Sequence, residues 1–292
     1  MFISIRGIYE NYANAIIYGK GNKVVITMRF FLFRIRKRLG LLPTELRISH
    51  SKIIAIRRDG AIAAAIYALG YYDYHNMHLM KKLMPRLRNF IDIGANIGVY
   101  SLIASEAKRA KVYAFEPYRD TYQKLRRNIE ANNRHNIFPF NYALGSRNCL
   151  VGFRTGSDDS GYATVTASKS RVRVECRRMD VLCRKEKITL ALVKIDTEGN
   201  EYEILKGFGR YLKKVKVLFI ELNIINQKNK TQEKIIRYLN NHNFGGPYRY
   251  DHEHAVLANE DVEKSYSQIE DSIFVADSFM GELQKIGITI KD

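Results

Sequence analysis

From Phe90 onward the chain alternates between short apolar runs and longer stretches whose apolar positions recur every three or four residues. The short runs are rich in β-branched and aromatic residues and predict strands near residues 90–93, 111–115, 137–142, 190–195, 216–221 and 272–276. The longer stretches predict helices near 98–108, 119–133, 200–212 and 231–242. Strands and helices in strict alternation imply a mostly parallel sheet with helices on both faces, a Rossmann-like α/β architecture. Between Leu150 and Glu175 the period changes. Val151, Phe153, Val165, Val172 and Val174 alternate with polar residues around Gly156, Ser160 and Gly161, which predicts an antiparallel insertion. Its loop, Thr155 to Gly161, reads either as a cover over a site mouth or as a plain surface hairpin. The pattern divides the chain into an N-terminal extension over residues 1–80, in which Ile53 to Gly60 reads as a strand and turn, and a main domain over 81–292.

Charge adds a second asymmetry. The 292 residues carry a formal net charge of +18, and residues 1–60 hold twelve Lys or Arg against three acids, a net +9. Half the excess thus lies in a fifth of the chain. Inside that region Val24 to Phe33 is apolar, interrupted by Arg29, and runs into Arg34-Ile-Arg-Lys-Arg38. This is well short of the ~20 apolar residues that span a bilayer. A secretory signal would place its basic residues before the apolar run, and here the order is reversed. The favoured expectation is a helix packed on the domain with a solvated basic face. The alternative is a basic amphipathic helix, within residues 20–40, that contacts an anionic membrane through Phe30, Phe31 and Phe33.

No specific nucleic-acid partner is predicted, because no zinc-finger spacing, aromatic RNA-binding pattern or basic zipper accompanies the charge. Cys149, Cys176 and Cys183 are odd in number and lack metal-ligand spacing, so they read as free thiols in a reducing, cytoplasmic setting. His75, His78, His252 and His254 read as ordinary core or surface residues.

The candidate chemistry begins at Asn89-Phe-Ile-Asp-Ile-Gly-Ala-Asn-Ile-Gly98. An apolar run carrying an acid leads into a glycine turn and a helix start, so Gly94 and Gly98 allow a tight turn and the helix aims free N–H groups into the loop. A second strand, Lys111 to Phe115, ends at Glu116, eighteen residues past Gly98. An acid at that strand tip is placed to accept hydrogen bonds from the hydroxyls of an adenosine ribose. A dinucleotide loop wants G-x-G-x-x-G, but Asn96 stands where the second glycine would be, which disfavours a pyrophosphate and with it a nicotinamide-dependent oxidoreductase. Asp92, two residues before Gly94, would repel phosphate but suits the cationic sulfonium and amino group of S-adenosylmethionine.

A third strand, Ala191 to Ile195, delivers Asp196 and Glu198 to its carboxyl end. Ligands in open α/β sheets bind there, so Asp92, Glu116, Asp196 and Glu198 are expected on one rim. Strand alternation puts Lys194 on the same side as Asp196, where it could hold the Asp196 carboxylate or face an anionic substrate. If the acceptor is a hydroxyl, Asp196 or Glu198 could serve as general base; the plainer role for Glu198 is a first-turn acid of the next helix. No metal is predicted, since the cationic sulfonium already gives these acids a partner.

Asp92-Ile-Gly-Ala-Asn-Ile-Gly98, Phe115-Glu-Pro117 and Lys194-Ile-Asp-Thr-Glu-Gly199, in this order, resemble the FkbM family of S-adenosylmethionine-dependent methyltransferases. The resemblance covers roughly Arg57 to Ala276, and the third motif is its most specific part. It implies a class I methyltransferase sheet, with Asp92, Gly94, Asn96, Gly98 and Glu116 holding the cofactor, Asn141 and Ala143 near the adenine, and Glu221 and Asn223 facing the acceptor. It also implies O-methylation of a small molecule or glycan. The rival expectation from another class is a basic membrane- or nucleic-acid-binding protein in which the site is vestigial.

Overall fold

The computed structural model describes residues 22–55, 61–155, 163–166, 172–222, 231–259 and 271–291. The described residues open with helix α1 (Lys23–Arg38), a hairpin of β1 (Thr44–Ile48) and β2 (Ser51–Ala55), and helices α2 (Ala61–Leu69) and α3 (Tyr74–Leu83). Then come β3 (Asn89–Ile93), α4 (Val99–Ala104), β4 (Lys111–Phe115), α5 (Arg119–Ala131) and β5 (Ile137–Phe140). Four strands follow, β6 (Ala143–Gly145), β7 (Cys149–Thr155), β8 (Ala163–Thr166) and β9 (Val172–Arg178), and after them α6 (Met179–Lys185), β10 (Ala191–Ile195), α7 (Glu201–Phe208) and β11 (Val215–Ile220). The last elements are α8 (Thr231–Asn240), β12 (Phe244–Asp251), β13 (Val256–Asn259), β14 (Ser272–Ala276), α9 (Met280–Lys285) and β15 (Thr289–Lys291).

Among the described residues nine strands form the main sheet, in the order β15-β13-β12-β14-β11-β10-β3-β4-β5. The run from β11 to β5 is parallel, and β14, β12 and β13 extend it antiparallel. All six predicted strands and all four predicted helices are present, with ends shifted by a few residues. The run at 137–142 divides, because β5 stops at Phe140 and β6 pairs with β9 in a separate sheet. Strands β12, β13 and β15 escape the sequence pattern. Phe244-Gly-Gly-Pro has turn chemistry at its start, and the outer strands are only partly buried, so neither alternates cleanly.

Pleating sends neighbouring side chains to opposite faces, and each face has its own core. Phe90, Val112, Leu192 and Phe219 join Leu79, Leu102 and Leu125 on one side; Ile91, Tyr113, Val193 and Leu218 join Leu205, Phe208 and Ile235 on the other. The expected antiparallel insertion exists as β7 paired with both β8 and β9. Residues 156–162 of its loop lie outside the described residues. Cys149, Cys176 and Cys183 are free thiols.

Residues of α1, β1, β2, α2 and α3 join the first core directly, including Ile26, Phe30, Phe33, Leu46, Ile53 and Met80. Helix α1 starts at Asn22, whose Oδ1 accepts a hydrogen bond from the Val24 N–H at 2.9 Å. Its Phe33 ring lies 5.4 Å from Tyr67 of α2. The helix therefore packs on the domain. Grouping Phe30, Phe31 and Phe33 on one membrane-facing side is corrected: Phe30 and Phe33 point inward, while Phe31 is exposed. Among the described residues no helix is long and apolar enough to cross a membrane.

Candidate active site

Strands β3 and β10 lie side by side at the point where the parallel connections diverge: one chain continues to β4 and the other to β11. That switch point leaves a crevice at the carboxyl ends of the strands. Register places Asp92 opposite Lys194, so two charged residues sit in the middle of the sheet at its ligand end.

The glycine turn is shaped by its own backbone. The N–H groups of Gly94 and Ala95 both donate to the Phe115 carbonyl, at 3.0 and 2.9 Å, which fastens the loop to the end of β4. Gly94, Asn96 and Gly98 have φ of 83°, 50° and 91°. Asn tolerates this left-handed region better than most side chains, which explains its place between two glycines. A Cβ on Gly94 would overlap the Asp196 carbonyl oxygen, so the loop and the end of β10 approach more closely than any side chain permits.

Glu116 closes the same corner. Its Oε2 accepts from the Asn96 N–H at 3.0 Å and its Oε1 from the Tyr118 N–H at 2.9 Å. Each oxygen keeps a lone pair for a further donor. Burial pushes the Glu116 carboxyl up to about 7, against the pull of those two N–H groups. Asp92 lies beneath the loop, 1% exposed, where its Oδ2 accepts from the Ser101 hydroxyl at 2.6 Å. Burial raises it to about 6, and Ser101 and Lys194 restrain the rise. Asn141 donates to the carbonyls of Glu116 and Pro117 at 2.9 and 3.0 Å, bracing the strand end that carries Glu116. Ala143 is buried in β6.

At the tip of β10 the buried Lys194 ammonium lies 2.7 Å from Asp196 and 3.3 Å from Asp271, and 5.0 Å from the centre of the Tyr100 ring. Burial disfavours its charge, but Asp196, Asp271 and Asp92 outweigh that and hold it protonated. The Tyr100 hydroxyl in turn bonds to Asp73, the N-cap of α3, which ties the N-terminal helices to this corner. Burial and the neighbouring Asp196 and Glu198 charges push Glu221 up to about 10. Asp196 goes the other way: burial would raise it, yet Lys194 and a hydrogen bond with Glu221 hold it below the usual carboxylate range. At neutral pH the pair therefore consists of a protonated Glu221 and an ionised Asp196.

Asp196, Glu198 and Glu221 each bring a carboxylate oxygen within 4.8 Å of the others, a spacing that suits a cationic ligand group. Glu198 sits at φ 55° in the loop and is not the acid that holds the next helix. That position belongs to Glu201, fully buried, whose Oε1 accepts from the Thr197 N–H and hydroxyl and from the Gly199 N–H at 3.0–3.1 Å. Asp92, Glu116, Lys194, Asp196, Glu198 and Glu221 thus share one rim, while Asn223 lies outside the described residues. Asp271, Tyr100, Ser101 and Glu201 belong to the same network and were not singled out from sequence. Ser101 follows the glycine turn by one helical turn and could have been found by spacing. Asp271 lies 75 residues past Asp196 in the chain, and nothing local announces it.

Residues 92–245 match the family model described as the methyltransferase FkbM domain. Among curated proteins, the hexuronic acid methyltransferase AglP of Haloferax volcanii is 28% identical over 133 residues, 45% of this chain and 54% of AglP. The chain therefore spans about half the length of the curated relative it matches. An rRNA methylase from Streptococcus thermophilus aligns over 68% of this chain and 90% of its own at 11% identity and a TM-score of 0.38. TrmK of M. capricolum in complex with S-adenosylhomocysteine aligns over 68% and 66% at 12% identity and a TM-score of 0.38.

Proposed function

The chain belongs to the FkbM methyltransferase family, and from that premise we propose that it methylates a hydroxyl oxygen of a sugar or other small acceptor at the crevice between β3 and β10. As an S-adenosylmethionine-dependent methyltransferase it is not a nicotinamide enzyme, which removes that reading of the glycine loop. The residues present fit the cofactor. The Gly94 turn packs directly on the Asp196 backbone and so holds the loop at the strand ends, Glu116 offers paired acceptors for two ribose hydroxyls, and the surrounding carboxylates match a positive charge.

S-adenosylmethionine supplies an electrophilic methyl group on a cationic sulfur. The chain's own task is to hold the acceptor oxygen in line and to take its proton. Asp196 carries that second role: it is ionised at neutral pH, partly exposed, and held in one orientation by Lys194 and Glu221. Glu198 and Glu221 line the same opening and offer acceptors to further acceptor hydroxyls. Asn141 and Ala143 flank the cofactor side.

The single observation that carries this reading is the convergence of Asp92, Glu116 and Asp196 on one crevice, each close enough to bias the ionisation of another. A rim rich in hydrogen-bond acceptors suits a polyhydroxylated molecule, and the sugar acid named for AglP supports the same class. Incubation with methyl-labelled cofactor and a panel of sugars, sugar acids, phenols and amines, read by mass, tests it. Label on a sugar oxygen is expected; label confined to nitrogen acceptors would overturn the proposal.

A further inference from the structure

Helix α1 has two apolar faces, and among the described residues the core packs on one of them. Ile26, Phe30 and Phe33 point into the core. With about 3.6 residues per turn, Val24, Met28, Ile35 and Leu39 align along the opposite side, widened by Val25, Phe31 and Leu32. That side is exposed along the whole helix: Val24 65%, Met28 66%, Leu32 47%, Ile35 52% and Leu39 67%. Leu41, just past the helix end, is exposed as well. An apolar stripe this long on an otherwise well-packed molecule calls for a cover.

Charge says what kind. By the same helical geometry Arg29 and Arg36 border the stripe along one edge, and Arg34 and Arg38 border it along the other. The sixteen residues of α1 contain no acid. We propose that α1 docks flat on an anionic lipid bilayer, its Val24–Leu39 stripe among the outer acyl chains and its flanking arginines at the depth of the phosphates. Long arginine stems reach upward from an apolar face to headgroup level, so the side chains suit both layers at once. A second copy of this chain is a poor occupant, because pairing two identical stripes would bring four arginines against four like charges. An interfacial helix of this kind would hold the methyltransferase at a membrane surface, where its acceptor could be lipid-borne or dissolved.

The test uses the full chain with vesicles of phosphatidylcholine alone and of phosphatidylcholine mixed with phosphatidylglycerol. Co-sedimentation with the anionic vesicles should exceed that with neutral ones by about tenfold or more and should weaken with added salt. Leu32→Glu and Ile35→Glu should each abolish most of it, and Arg29→Glu with Arg38→Glu should remove the preference for anionic lipid. All these positions are exposed, so melting temperature and S-adenosylhomocysteine binding should stay at the wild-type level, which separates lost docking from lost folding. Met28 supplies a direct footprint, oxidised by peroxide in free protein and protected by anionic vesicles. Equal partition into both vesicle types, unchanged sedimentation of Leu32→Glu, a dimer that this variant dissociates, or a Met28 already protected in free protein would each overturn the proposal.

Discussion

Gly94 meets Asp196 backbone to backbone: the α-carbon of one faces the carbonyl oxygen of the other with no room for a single methyl between them. The turn after β3 and the tip of β10 are thereby one unit, and a change in either should be felt by both. Gly94→Ala must displace that contact and also place a side chain at φ 83°. We expect a loss of at least about 2 kcal/mol in stability, the usual scale of forced backbone strain, together with loss of S-adenosylhomocysteine binding. Gly40→Ala is the control, since its φ is 71° but nothing lies within 4 Å. It should cost only about 1 kcal/mol and leave binding intact. Thermal unfolding and calorimetry read both variants.

The Glu116 carboxyl gives binding a pH dependence. Its folded value of about 7 lies above the ordinary 4.5, so the folded protein holds this proton more tightly than the unfolded chain. The corresponding stability is complete below the ordinary value and disappears as pH rises through 7. Ribose hydroxyls and a cationic sulfur both prefer the ionised form, so cofactor binding should release a proton and strengthen from pH 6 to 8. Glu116→Gln should remove the part of the pH dependence centred near 7, leaving the weaker one from Asp92 near 6, and should weaken binding by about 1.5 to 3 kcal/mol, the worth of hydrogen bonds to a charged group. Calorimetry in phosphate and in Tris, whose ionisation heats differ, measures the proton directly. Identical heats in the two buffers would count against the assignment.

The parallel half of the sheet was legible because its strands are buried on both faces and therefore read as continuous apolar runs, as at Phe90–Ile93 and Ala191–Ile195. The acids at those strand ends could be placed on one rim because carboxyl ends of parallel strands always converge. What remained hidden depends on long-range contact. Asp271 reaches Lys194 only through the antiparallel pairing of β14 with β11, and no local spacing encodes that meeting. The division of labour between Glu198 and Glu201 was hidden for another reason. Both are acids near a helix start, and only the left-handed turn at Glu198 and Gly199 decides which one folds back over the loop.

Glu201 is the brace of that loop, and its removal should separate architecture from cofactor contact. Glu201→Ala would leave the Thr197 and Gly199 N–H groups without their acceptor beneath the residues that present Asp196 and Glu198. A buried donor left unsatisfied costs about 1 to 3 kcal/mol, so a fall of several degrees in melting temperature is expected. Turnover should fall further than S-adenosylhomocysteine affinity, because the loop presents Asp196 and Glu198 directly and reaches the glycine turn only through the Asp196 backbone, while Glu116 is held by Asn96 and Tyr118. Equal losses in both would show that Glu201 supports the whole crevice.

Asp196 and Glu221 share a proton, and the two carboxyls should therefore answer differently to the same amide substitution. Glu221 is protonated at neutral pH and donates to Asp196, a role the amide of Glu221→Gln can still fill. Asp196→Asn, by contrast, removes the ionised acceptor held by Lys194 and should lower kcat by about 10² to 10⁴, the usual range for a lost general base. Glu221→Gln should keep turnover within about tenfold of wild type on the same scale. Stability supplies an independent sign. Because the folded Glu221 value of about 10 exceeds the ordinary 4.5, its contribution is complete at low pH and falls steadily through neutrality to about 10. Glu221→Gln cannot ionise, so its stability should decline less than wild type between pH 7 and 9, with a higher melting temperature at the alkaline end. A Glu221→Gln enzyme as inactive as Asp196→Asn, with an unaltered stability profile, would mean that Glu221 is itself ionised and that the proton lies elsewhere in the cluster.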